Sequence, residues 1–142
     1  MISTKSPTVG DLMAVEPVVV RADAPLSEAA ALIDHHHVSG LPVVDGAGSL
    51  VGVISQTDLM RARATEHLWA NWPGLSVRHL MSTPAVTVHG ATSIIEAART
   101  MERLGIHRLV VVADHDELLP VGVLSVSDIV RSMAAVGEPT DG

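Results

Sequence analysis

The chain has no cysteine, phenylalanine or tyrosine, and only Trp69 and Trp72 carry large aromatic rings among its 142 residues. Without cysteine there is no disulfide, no thiolate metal site and no thiol nucleophile. Without stacking platforms, and with a formal charge of −7 that repels a phosphate backbone, nucleic acid is not an expected partner. No apolar run approaches the ~20 residues of a membrane span. The amino terminus also lacks the basic-then-apolar order of a secretory signal, so a cytoplasmic location away from the membrane is expected. His35, His36 and His37 are adjacent, point to different sides of a helix and cannot converge on one ion. They read instead as a polar helix end. His67, His79, His89 and His115 have no ligand spacing, so no metal is expected. No nucleophile elbow or triad spacing is present, so no catalytic residue is assigned. The Asp45-Gly46-Ala47-Gly48 stretch is not a phosphate loop, because no Gly-Lys-Ser/Thr follows it.

What is present is aliphatic and duplicated. Hydrophobic residues make up 47% of the chain, enough for a sizeable core. Val53-Ile54-Ser55-Gln56-Thr57-Asp58-Leu59 returns as Val123-Leu124-Ser125-Val126-Ser127-Asp128-Ile129, each copy entered by a Val-Gly pair and followed closely by an arginine. Upstream, Leu12-Met13 matches Leu80-Met81, Glu28-Ala29-Ala30 matches Glu96-Ala97-Ala98, and Leu41 to Val44 matches Leu109 to Val112. The offset of 68 residues becomes 70 at the closing motif. A repeat this long is a whole αβ unit.

Each copy reads as β-α-β-β-α. Val18 to Val20 and Val86 to Val88 are β-branched runs introduced by Pro17 and Pro84. The following helices place Leu26, Ala29, Ala30 and Ile33, and then Ile94, Ala97, Ala98 and Met101, on one stripe. Asp23 and Ser93 are their expected caps. The alanines imply close approach to another element. Strands Leu41 to Val44 and Leu50 to Ile54 are joined by Asp45 to Ser49. Leu109 to Val112 and Val121 to Leu124 are joined by the longer, acidic Ala113 to Pro120. A last helix begins near Thr57 or Ser127. There, Ser-x-x-Asp has two readings. It is an ordinary cap with a first-turn acid. The other reading is a ligand site, with the aspartate accepting ribose hydroxyls and the serine and free amides meeting a phosphate oxygen.

The pattern from Val9 to Met133 resembles a tandem pair of cystathionine β-synthase (CBS) domains, a Bateman module. His37 to Asp45 and Ile106 to Val112 look close to the nucleotide-sensing gamma subunit of AMP-activated protein kinase; no kinase partner follows from this. The resemblance implies an α/β fold of two repeats packed about a pseudo-twofold axis. Residues 9–63 would form repeat 1, 64–76 a linker anchored by the two tryptophans, 77–133 repeat 2, and 134–142 a flexible tail. Neither half of ~70 residues is expected to fold well alone.

The resemblance also tips Ser-x-x-Asp toward ligand binding and implies two pockets, each shared between the copies. One joins Ser125 and Asp128 to Met13, Val18, Val38, Ser39 and Gly40. The other joins Ser55 and Asp58 to Ala85, Val86, Ile106 and Arg108, with Arg108 on phosphate. His107 reaches toward the first pocket. Gly40 stands at the position of Arg108, so the pockets are not equivalent. The implied role is a stand-alone regulatory sensor with no covalent cofactor, binding AMP, ADP, ATP or S-adenosylmethionine, and acting on an unknown regulated protein. A homodimer through Leu59 to Arg63 and Ile129 to Met133 is expected. The competing reading is a structural or partner-binding module with vestigial pockets. Replacing Asp58 or Asp128 by Ala is expected to leave the fold intact.

Overall fold

The computed structural model describes residues 7–15, 17–68 and 74–136. Trp69, Trp72 and the last six residues of the expected tail lie outside them. In chain order the elements are α1 (Val9–Leu12), β1 (Ala14–Val15), β2 (Val20–Arg21), α2 (Leu26–His36), β3 (Gly40–Val44), β4 (Leu50–Ser55), α3 (Gln56–Ala64), single 3-10 turns at Glu66–Leu68 and Val77–His79, β5 (Thr87–His89), α4 (Ile94–Leu104), β6 (Arg108–Ala113), β7 (Asp116–Ser125) and α5 (Val126–Val136). The architecture is α/β. Its described residues divide into two compact units, one holding residues 17–68, 74–85 and 118–120, the other residues 7–15, 86–117 and 121–136.

In the unit built on the first repeat, β2 and β3 run parallel, with α2 as their crossover. β3 and β4 are antiparallel from Gly40 opposite Ser55 to Val44 opposite Leu50. Their turn is held by Asp45, whose Oδ1 accepts from the amides of Ala47 at 2.9 Å and Ser49 at 3.0 Å. α2 buries Leu26, Ala29 and Ile33, and Ala29 has no exposed surface. Ala30, expected on that stripe, is exposed. It lies about 100° round the helix from Ala29, and only the narrow line of positions 26, 29 and 33 is buried. Asp23 is not the cap. It lies outside the helix and pairs with Arg21 at 2.8 Å, while Pro25 takes the cap position without a side-chain hydrogen bond. The helix ends on His37 in the left-handed region, at φ 55.

The unit built on the second repeat follows the same plan. β5 and β6 are parallel, and α4 buries Ile94, Ala97 and Met101. Ser93 caps α4, accepting from the Glu96 amide at 3.1 Å, and Gly105 ends it at φ 67. The acidic stretch expected to be a connection is mostly strand, because β7 begins at Asp116 and leaves only Asp114 and His115 as the turn. The two extra residues of this copy lengthen a hairpin rather than a loop. α5 likewise continues to Val136, into the segment expected as tail.

Each unit takes its opening segment from the other repeat. Val9 has no exposed surface and lies in the core with Ile94, Ala97, Leu109 and Leu124. Its equivalent Val77 is equally buried among Val20, Ala24, Leu26 and Ile54. The hydrogen bonds repeat in register: Val9 N–H donates to the Thr92 carbonyl at 2.8 Å and Val77 N–H to the Ala24 carbonyl at 2.9 Å. Gly10 bonds Gly90 as Arg78 bonds Ala22. Thr8 bridges Ser93 as Ser76 bridges Pro25, and Ala14 faces Val123 as Ser82 faces Val53. Gly52 and Gly122, the glycines of the Val-Gly pairs, lie under these segments. A Cβ at Gly52 would stand 2.8 Å from the Ser82 carbonyl oxygen, and one at Gly122 would stand 2.9 Å from that of Ala14. No side chain fits at such distances.

Candidate ligand-binding site

β4 ends at Ser55 in extended geometry and α3 starts at the next residue. The Ser55 hydroxyl accepts from the Asp58 amide at 3.2 Å, while Asp58 Oδ2 accepts from the Ser55 amide at 2.8 Å and from its hydroxyl at 2.9 Å. The second copy repeats this: the Ser125 hydroxyl accepts from the Asp128 amide at 3.2 Å, and Asp128 Oδ2 accepts from Ser125 at 2.9 and 3.0 Å. This is a reciprocal cap with aspartate in place of the usual glutamate. It satisfies helix-end amides and sets a carboxylate against the positive end of the helix dipole. Alanine at Asp58 or Asp128, expected to leave the fold intact, therefore carries a stability cost. Each aspartate holds its helix start, and its loss removes a cap worth about 0.5–2 kcal/mol.

The cap leaves one carboxylate oxygen over. Both aspartates are mostly covered, their side chains 16% and 15% exposed, and each outer oxygen, Oδ1, faces the arginine one turn later. Arg61 Nη1 lies 3.9 Å from Asp58 Oδ1, and Arg131 Nη1 donates to Asp128 Oδ1 at 3.1 Å. These arginines were visible in the sequence as part of the closing motif, and their i, i+3 spacing was the signal for the contact. Asp58 also lines an open cavity of about 370 Å³ with Arg61, Ala62, Thr65, Leu68 and Leu80.

The other site residues fall into two sets by unit. With Ser55 and Asp58 stand Val18, Val38, Ser39, Gly40 and Ala85. The Ser39 carbonyl accepts from the Gln56 amide at 2.9 Å, and buried Gly40 pairs with Ser55, so this loop lies against the helix start of its own repeat. Val18 and Val38 pack on the core. With Ser125 and Asp128 stand Met13, Val86, Ile106, His107 and Arg108. Here the His107 carbonyl accepts from the Val126 amide at 3.0 Å, the same anchor one repeat later. The His107 side chain is exposed, and Arg108 opens β6 half-buried and already engaged within the protein. Met13 lies over Gly122. Among the described residues, no three metal-ligating side chains gather to hold an ion, and no helix is long and apolar enough to cross a membrane.

Residues 9–65 and 77–135 each match the CBS domain. The chain belongs to the CBS domain family. Solved CBS pairs share its fold along nearly its whole length. One, crystallised with 5′-methylthioadenosine and S-adenosyl-L-methionine, superposes with a TM-score of 0.83 at 25% identity, covering 93% of this chain and 99% of its own. The CBS-pair protein CBSX2 of Arabidopsis thaliana, solved with AMP, gives 0.77 at 31% identity over 93% and 99%. Longer curated proteins are also similar. Inosine-5′-monophosphate dehydrogenase of Mycobacterium leprae is 33% identical over 121 residues, 84% of this chain and 21% of that enzyme. L-aspartate semialdehyde sulfurtransferase of Methanocaldococcus jannaschii is 28% identical over 129 residues, 89% and 24%. The CBS pair thus spans about a quarter of the length of these two relatives.

Proposed function

We propose that this CBS pair is a regulatory module that binds an adenosine-containing ligand: AMP, ADP, ATP or S-adenosylmethionine. The observation that carries it is the doubled cap. In each repeat one oxygen of a largely covered aspartate is used by the fold and the other is turned outward, where a ribose hydroxyl can donate to it. Neighbours solved with AMP, S-adenosylmethionine and 5′-methylthioadenosine support the ligand class. In this reading one ligand meets Ser125 and Asp128 with Met13, Val18, Val38, Ser39 and Gly40, with His107 reaching toward it. The other meets Ser55 and Asp58 with Ala85, Val86, Ile106 and Arg108, and Arg108 takes phosphate. Binding biases a regulated protein or a homodimer contact, the latter through helix faces where Met60, Val130 and Met133 are exposed. We place its work in the cytoplasm and assign it no catalysis.

One observation favours the second reading, a structural or partner-binding module with vestigial pockets: the cap alone accounts for the serine and aspartate of each motif. Calorimetry with AMP, ADP, ATP, adenosine and S-adenosylmethionine separates the two. Saturable heat with at least one of them supports the sensor, and none with any supports the vestigial module. Arg108→Ala should weaken AMP strongly and adenosine little; equal losses reject the phosphate role.

A further inference from the structure

The two aspartates are alike in their inner oxygen and unlike in their outer one. In each cap Oδ2 receives both the amide and the hydroxyl of its serine, which fills its two lone-pair directions. Only Oδ1 remains for a ligand, and two ribose hydroxyls would occupy both of its lone pairs. In the second repeat, Arg131 Nη1 already donates to Asp128 Oδ1 at 3.1 Å. In the first, Arg61 Nη1 stands off at 3.9 Å, and the aspartate opens on a cavity. Both arginine side chains are mostly exposed, 73% and 68%. Such pairs are weak and readily exchanged, as a competitor's must be. The hydrogen bonds inside the cap do not distinguish the copies, since the serine–aspartate distances agree within 0.1 Å.

We infer that the arginine one turn after each aspartate competes with the ligand for the outer carboxylate oxygen, and that Arg131 makes the Asp128 site the weaker of the two. The inference rests on the proposed function and adds an order of filling: Asp58 first, Asp128 second. Arg131 acts through Asp128 and is a positioning residue.

The test uses the whole chain carrying Asp58→Asn, so that one site is read, with adenosine as the probe. Adenosine is uncharged, so loss of a guanidinium cannot change its affinity through long-range attraction. Binding is followed by chemical-shift titration, which reads millimolar affinities. Arg131→Gln should tighten adenosine by up to about fivefold, the equivalent of one exposed ion pair. Arg131→Lys restores a cation in reach and should move affinity back toward that of the parent. If Arg131→Gln leaves affinity unchanged or weakens it, while Asp128→Asn abolishes binding, competition is wrong and the site stands. If adenosine fails to bind, or binds regardless of Asp128→Asn, the site itself is wrong.

Discussion

A single methyl group at Gly122 should loosen the grip of the amino-terminal segment on the second repeat. The Cβ of Gly122→Ala would lie 2.6 Å from Met13 Sδ and 2.9 Å from the Ala14 carbonyl oxygen. The thioether can swing aside. The carbonyl cannot, because β1 is fixed by the pairs Ala14 with Val123 and Val15 with Gly122. Relief to an ordinary contact needs a shift of roughly half an ångström in β1, and overpacking of this kind costs about 1–3 kcal/mol. For a chain of this size that lowers Tm by roughly 3–10 °C. Urea unfolding is the assay, with the midpoint expected to fall at unchanged slope. Gly90→Ala is the control, because its Cβ would meet nothing nearer than Gly10 Cα at 3.8 Å. That change should be neutral or stabilising by up to about 1 kcal/mol. Equal stability of the two variants would refute the placement of β1 against β7.

Three further outcomes follow from local geometry. His37→Gly should stabilise by about 0.5–1 kcal/mol, since His37 holds a left-handed conformation that Gly105 supplies in the second repeat; a loss of stability in thermal unfolding would contradict this. Asp58→Ala should cost about 0.5–2 kcal/mol while Asp58→Asn, which keeps an acceptor oxygen for Ser55, should cost much less; equal unfolding midpoints would mean the cap carries no weight. Ala97→Leu should cost about 1–3 kcal/mol, because Ala97 has no exposed surface and a larger side chain must push α4 away from its core; an unchanged midpoint would contradict the tight contact.

Much of this architecture was legible in the sequence, and the exceptions share causes. The 26-29-33 and 94-97-101 lines were readable because apolar spacing at 3.6 residues is a strong signal. Ala30 was misplaced because alanine suits either face. Asp23 was misread because a capping residue type is common in turns, and here it pairs with Arg21. The start of β7 was hidden by Asp116 and Glu117, exposed residues that read as a loop. The exchange of opening segments left no trace in composition. Val9 and Val77 are equivalent, so hydrophobic pattern alone cannot tell which repeat each will enter. The exchange also gives a chain-level reason why a fragment from Val77 to Met133 should fold poorly. That fragment lacks Val9, which fills its core, and carries Val77, which belongs to the other core. At the site, the Ser-x-x-Asp pairs were legible as both cap and ligand group. What needed coordinates was how the work divides between the two carboxylate oxygens.

The most direct measurement is ligand-induced thermal stabilisation of the chain and of the double variant Asp58→Asn/Asp128→Asn, with AMP, ADP, ATP and S-adenosylmethionine. Asparagine preserves an acceptor for each serine while removing the charge at each helix start, so each ligand shift is read from that protein's own unliganded melting temperature. At a ligand concentration about 100 times Kd, binding should stabilise the parent chain by about 2.7 kcal/mol, several degrees in Tm. The parent should show this shift with at least one of the four ligands, and the double variant should lose it. An equal shift in both proteins, or none in the parent with any of the four, would contradict the assignment of the aspartates to the ligand.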